Sequence, residues 1–287
     1  MPNPRTPHAP AVTRIELRQI CYSAQTLEDL PEGMLALDYT DNERPDWREY
    51  WPIRRFLLNQ TLADDTLYGF FSPKFSYKTE LKASSVCDFI AQHHHAHDAY
   101  LFSPFWDLSS FFVNVFEQGD FFHPGLRKAS EMFVQSVGLS NNLKLEATHA
   151  QNTVFCNYIV AHKTFWLKWL SLGERLMFAA EHPHAQAGLK DLLNANARYG
   201  DQSVQLKVFA MERLATLLLL NEPSLRVKAY DSFQLPPSNT PLNGFFHQAV
   251  QCNALKWAYA ESQSPFNLHA FMVLRDQVFQ GMHSQAA

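Results

Sequence analysis

The sequence predicts a mixed α/β fold built on a mostly parallel sheet flanked by helices, and three observations carry that expectation. Between residues 14 and 105, short runs rich in branched and aromatic residues alternate with helical ones, in the order strand, helix, strand, helix, strand. Apolar residues make up 46% of the 287 and aromatics 14%, enough for a substantial core in one large domain or two closely fused ones. After Phe105 the pattern turns helical and aromatic, which gives the chain a helical C-terminal portion.

RIELRQICY at 14–22 alternates in part and reads as the first strand. Ser23 opens a short polar turn or helix, and MLALDYT at 34–40 reads as a second strand. DNERPDWREYWPIRRFLLNQ, at 41–60, is helical in its second half. There Trp47, Trp51, Phe56 and Leu57 suggest one apolar face and Pro52 marks a start or a kink. LYGFF at 67–71 is a buried strand ended by Ser72-Pro73. SSVCDFIAQHH follows as a helix with Ser84 or Ser85 as its cap, and DAYLFSPF at 98–105 is the next strand with its exit loop.

Further on, WDLSSFFVNVFEQGD is helical and leads to a turn at His123-Pro124-Gly125. LRKASEMFVQSVGL is an amphipathic helix ended by Gly138. TVFCNYIVA at 153–161 reads as a strand, HKTFWLKWLSLGERLMFAAE as a helix, and KVFAMERLATLLLL at 207–220 as one strong helix. The expected organisation is a flexible N-terminus over 1–13, a main unit over 14–222, and a mixed helical extension over 223–287 packed on the same domain, with a loop at QLPPSNTPLNG.

A net charge of −4 and a pI near 6.3 give no basic face of the kind that binds nucleic acid. Cys21, Cys87, Cys156 and Cys252 are far apart with no CxxC pair, so core thiols are expected in place of disulfides or structural zinc. MPNPRTPHAPAVT has no apolar run and reads as neither a signal peptide nor an anchor. LATLLLL at 214–220 is too short to span a bilayer. A cytoplasmic protein without a transmembrane segment is the expectation.

Several groups of residues suit chemistry. The segment 41–51 mixes Arg44, Asp46 and two tryptophans. Arginine offers a donor fork to phosphate, aromatic rings stack on sugars, and carboxylates accept hydroxyl hydrogen bonds; a capped helix start with surface ion pairs explains the same residues equally well. Lys74 follows a buried strand, where ligand loops occur in this fold class, although no P-loop glycines accompany it. His123 suits a base or a sugar contact, or a buried loop histidine. Glu212 and Arg213 lie in an apolar helix and need nonlocal partners. Asp98 follows the cluster His93, His94, His95 and His97, where a divalent metal is one reading and a polar surface loop the other; Asp107 is a second carboxylate nearby.

RIELRQICYS, YTDNERPDWREYWPIRRFL with YGFFSPKFSYKT, and NTVFCNYIVAHKTFWLKWL with VFAMERLATLLL together resemble small bacterial GT-A-type glycosyltransferase-like proteins of capsule and O-antigen polysaccharide biosynthesis, over roughly residues 14 to 220. The resemblance implies a GT-A-like, Rossmann-like sheet, a nucleotide-sugar donor, a glycan acceptor, and Mn2+ or Mg2+ at a DxD motif. Tyr22 and Ser23 would lie near the nucleotide base, and Asn157 would face the acceptor. Glu212 would contact the sugar or orient a base, and Asp98 would match the last carboxylate of the metal motif. Arg44 or Lys74 would meet the departing diphosphate, and Glu212 or Asp46 would deprotonate the acceptor hydroxyl. The sequence has HAHD where the family has DxD, so a non-catalytic partner of a biosynthetic complex is a second expectation. A metal-dependent hydrolase with converging histidines is a third, and a homodimer is open in each case.

Overall fold

The computed structural model describes residues 12–199 and 202–285. Six strands form the central sheet: β1 (Arg14–Cys21), β2 (Leu35–Asp38), β3 (Thr66–Phe71), β4 (Ala99–Leu101), β5 (Ile159–His162) and, later in the chain, β8 (Val227–Ala229). Their order is β2-β1-β3-β5-β4-β8. β1 runs parallel to both β2 and β3, and β4 parallel to β8; β5 is antiparallel to both of its neighbours. A separate antiparallel hairpin joins β6 (Asn196–Tyr199) and β7 (Gln202–Gln205). The mixed α/β architecture with a mostly parallel sheet between helices is therefore as the sequence predicts.

Strand β3 shows why the sheet is buried on both faces. All six of its residues are buried, as a continuous apolar run between two helical layers requires. At Gly69 a Cβ would come within 2.9 Å of Val160 and 3.0 Å of Leu17, so the neighbouring strands close over a position that no side chain fits. One layer packs Trp47, Tyr50, Ile53, Trp166, Trp169 and the helices Leu206–Glu212 and Leu214–Asn221 into the larger core. The other layer brings Val86 and Ile90 of the helix Ala83–Gln92 against Leu67, Phe71 and Tyr100. A third, smaller core forms where the helices Phe246–Ser262 and Pro265–Gln285 pack on Trp106 and Phe111.

Some local expectations need correction. The segment read as a strand over 153–161 enters the sheet only at Ile159, because Thr216 clamps Val154: its hydroxyl accepts from the Val154 amide at 2.8 Å and donates to the Val154 carbonyl at 3.0 Å. The helix read over 207–220 breaks at Arg213. Its guanidinium Nη1 donates to the Phe209 carbonyl at 2.7 Å, and its backbone amide turns to Ala210. Neither Ser84 nor Ser85 caps its helix, which starts at Ala83 behind Lys82 with no side-chain cap. Ser23 does cap, in a reciprocal pair with Thr26. The hairpin β6–β7, the helix Ala187–Asn194 and strand β8 are additions to the predicted elements. Within 223–287, β8 forms an edge of the central sheet beside β4. Among the described residues, no helix is long and apolar enough to cross a membrane.

Candidate active site

The chain leaves β1, adds β2 on one side, then crosses to add β3 on the other. Such a switch opens a crevice beyond the carboxyl ends of the two strands. A cleft of about 520 Å³ lies there. Tyr22 follows β1 into it, Ser72, Pro73 and Lys74 follow β3, and Lys78 comes from the short helix Phe75–Thr79. Asn157 enters from just before β5, which runs antiparallel and so starts at the same end. Trp47, Arg48, Glu49 and Tyr50 supply another part of the wall, and Val208, Phe209, Met211 and Glu212 line it from the helix Leu206–Glu212.

The backbone is shaped to serve this cleft. Arg48 sits at φ 47°, a left-handed conformation that only glycine adopts easily, between the turn Pro45–Trp47 and the helix Tyr50–Asn59. Tyr50 lies against the helix Lys163–Glu181 at Gly173, where a Cβ would meet its ring at 2.5 Å. The Tyr50 hydroxyl donates to Glu174 at 2.6 Å. Ser72 and Tyr158 share a hydroxyl–hydroxyl hydrogen bond of 2.9 Å, and Ser72 favours the ionised form of Glu49.

Carboxylates and cations share the cleft. Desolvation in the cleft pushes the Glu212 carboxyl up to about 7, although 35% of its side chain stays exposed; Arg213 and Lys78 oppose this, and the Glu49 charge adds to it. Burial also raises Glu49, against the pull of Lys78, Ser72, Arg48 and Lys74. The Tyr22 phenol is raised by burial and by Glu49. Lys78 reaches the Cys156 sulfur at 3.6 Å, and burial lifts that thiol to about 11, which makes it a poor nucleophile near neutral pH. Asn157 is 3% exposed, and its Oδ1 accepts no hydrogen bond from the described residues, an uncommon state for a buried acceptor.

Of the residues picked from the sequence, Tyr22, Lys74, Asn157 and Glu212 line this one cleft although they are far apart in the chain. The others are placed differently. Asp46 bonds Arg44 twice at 2.9 Å and Lys207 at 2.7 Å, and these cations hold it down at about 2 against partial burial. A group so firmly ionised is a weak base. Arg44 is committed to Asp46 and Glu181, tying the turn to the helix Lys163–Glu181. Arg213 is buried, donating to the Val115 and Phe209 carbonyls and to Gln118. His123 is buried and stacks on Phe209 at 3.6 Å, behind the cleft wall. Ser23 is exposed and serves its helix cap.

Asp98 stands at the other end of the sheet, where β4 begins, and Arg226 holds it with hydrogen bonds of 2.8, 3.0 and 3.2 Å. Asp107 is buried, accepting from Ser238 and Thr240. The histidines do not gather as one set: His93 bonds the Phe89 carbonyl and lies edge-on to His97, which packs on the Tyr100 ring, while His123 stacks on Phe209. Among the described residues, no group of three or more His, Cys, Asp or Glu is placed to hold a metal ion. The cleft carboxylates, Glu49 and Glu212, lie among Lys78, Lys74, Arg48 and Arg213. That donor set fits an anion better than a divalent cation.

The sequence pattern does not single out Glu49, Arg48, Ser72 and Lys78 as a set. Glu49 is one charge in a crowded segment, and its position beside Ser72-Pro73 depends on the turn Pro45–Trp47 folding back toward β3. Comparison with protein-family models, curated proteins and solved structures returns no match for the chain.

Proposed function

We propose that this protein is a GT-A-type glycosyltransferase, moving a sugar from a nucleotide diphosphate donor to a hydroxyl of a glycan acceptor in surface-polysaccharide assembly. The observation that carries this reading is the cation-lined crevice beyond β1 and β3, in which Glu212 has a proton affinity suited to neutral pH. A nucleotide would enter over Tyr22, with its diphosphate toward Lys74, Lys78 and Arg48. The acceptor oxygen attacks the anomeric carbon as Glu212 takes its proton. The bond from that carbon to the diphosphate oxygen breaks, and the electron pair leaves with the diphosphate, whose charge the cations meet. Asn157 offers an amide to a sugar hydroxyl.

A thermal-shift series with UDP, GDP, CDP and dTDP tests the binding half of this reading. One base is expected to raise the melting temperature selectively. Lys74→Ala is expected to weaken that ligand about tenfold, the loss of roughly 1.4 kcal/mol from one charge-assisted contact. No response to any nucleoside diphosphate would overturn the reading. Binding without turnover on any acceptor would leave a non-catalytic partner role.

A further inference from the structure

The turn Pro45–Trp47 leads into the cleft wall at Arg48 and Glu49, and side chains strap it to two helices. Toward the helix Lys163–Glu181, Glu181 accepts from the Trp47 indole at 2.7 Å and from Arg44. Toward the helix Leu206–Glu212, the Lys207 ammonium donates to Asp46 at 2.7 Å. The Lys207 side chain is 4% exposed, and its nitrogen also lies 4.7 Å from the centre of the buried Trp47 ring. A cation so buried needs a partner, and the carboxylate and the ring face supply it. Directly after these straps the backbone turns left-handed at Arg48. Such a conformation persists where its surroundings hold it, and strain of this kind collects at ligand clamps. The helix that begins beside Lys207 ends at Glu212, so one short element carries both the strap and the carboxylate of the cleft.

We propose that Lys207 is a positioning residue: by fastening Asp46 to the helix that carries Glu212, it fixes the Arg48–Glu49 wall of the cleft relative to the Glu212 wall and holds Arg48 in its left-handed conformation. Its role in turnover rests on the transfer reading, in which Arg48 meets the diphosphate and Glu212 takes the acceptor proton. Both groups must then stand at set distances from one anomeric carbon, and a wall displaced by about 1 Å costs turnover on the order of a hundredfold. Lys207 reaches that chemistry through Asp46 and the turn, with no contact to the ligand of its own. The same contacts explain why a charge is kept where an apolar side chain would pack: the ammonium picks one register of the turn against the helix.

The test is amide hydrogen exchange in the full-length protein, followed residue by residue by NMR in Lys207→Met. That variant keeps the length of the buried stem and removes the charge. Asp46 retains both 2.9 Å bonds to Arg44 and is 36% exposed, so no charge is left buried and alone and the variant is expected to fold. The amides of Trp47 and Arg48, which donate to the Arg44 and Pro45 carbonyls at 3.1 and 3.3 Å, are expected to exchange about tenfold faster, the scale of one lost charge-assisted hydrogen bond, while the amides of β3 keep their protection. Lys207→Arg, which keeps a cation on Asp46, is expected to restore the slow exchange. Asp46→Asn cuts the same strap from the turn side and gives the same readout should Lys207→Met fail to fold. Exchange at Trp47 and Arg48 that stays at the wild-type rate, or that rises only by the factor seen in β3, overturns the proposal. Faster local exchange in a protein whose melting temperature responds to none of UDP, GDP, CDP and dTDP keeps the strap and removes the transfer reading, so the two failures are distinct.

Discussion

The two ends of the central sheet use the same chemical groups to opposite effect. Where β4 begins, Asp98 meets Arg226 in a three-bond clasp that holds its carboxyl below the ordinary value against partial burial. In the cleft beyond β1 and β3, Glu49 and Glu212 are both raised, because burial outweighs the cations near them. An aspartate paired bidentately is a fastener. A glutamate whose nearest guanidinium is occupied elsewhere keeps a proton to trade.

The largest test of this contrast is catalytic. Glu212→Gln is expected to lower transfer about 1,000-fold, the scale of a lost general base, with nucleoside diphosphate affinity nearly unchanged. Asp98→Asn is expected to leave turnover at the wild-type level. Loss of turnover in Asp98→Asn alone would reverse the assignment of the two ends.

The next effect is on stability. Asp98→Asn is expected to cost about 1 kcal/mol at pH 7 by urea unfolding, since the clasp is partly solvent-exposed on the Arg226 side. The folded carboxyl lies below its unfolded value of 3.8, so the advantage of the wild type is present above that pH and fades as pH falls through the folded pKa. The smallest effect has the opposite sign. Glu212 rises from 4.5 unfolded to about 7 folded, so the folded state binds the extra proton and stability declines as pH climbs between those values. Glu212→Gln, which cannot ionise, is expected to melt about 2 °C above the wild type at pH 8 and level with it at pH 5, a modest gain because solvent reaches 35% of the Glu212 side chain and screens the penalty. A variant that gained nothing at pH 8 would place Glu212 in a fully compensated setting like that of Asp98.

The sheet is legible in the sequence because its strands are marked by local pattern. RIELRQIC and TLYGFF carry branched and aromatic runs bounded by polar turns, and both appear where expected. Strand β8 is only Val227–Ala229, and no periodicity marks so short a segment. The helix break at Arg213 is hidden because LKVFAMERLATLLLL contains no glycine or proline; a side chain reaching back to the Phe209 carbonyl causes it. In the site, Lys74 can be picked out because it follows a readable strand, whereas Tyr22 and Asn157 enter only through the family resemblance. Composition draws attention to Asp46 and Arg44 in the same stretch as Glu49. Their roles diverge because Lys207 and Glu181, distant in sequence, pair with them and leave Glu49 to the cleft.

Strand β8 sets a timetable for the chain. β4 lies between β5 and β8 in the sheet, and the clasp joining Asp98 to Arg226 spans 128 residues of sequence. A polypeptide emerging from the ribosome thus carries β4 with one open flank until residue 227 is made. Any nascent or clipped chain ending before that point presents a bare hydrogen-bonding edge, and such chains should need a chaperone or aggregate. The last residue that lines the cleft, Glu212, is made before that strand, so the side chains of the site are all present while the edge of β4 is still bare.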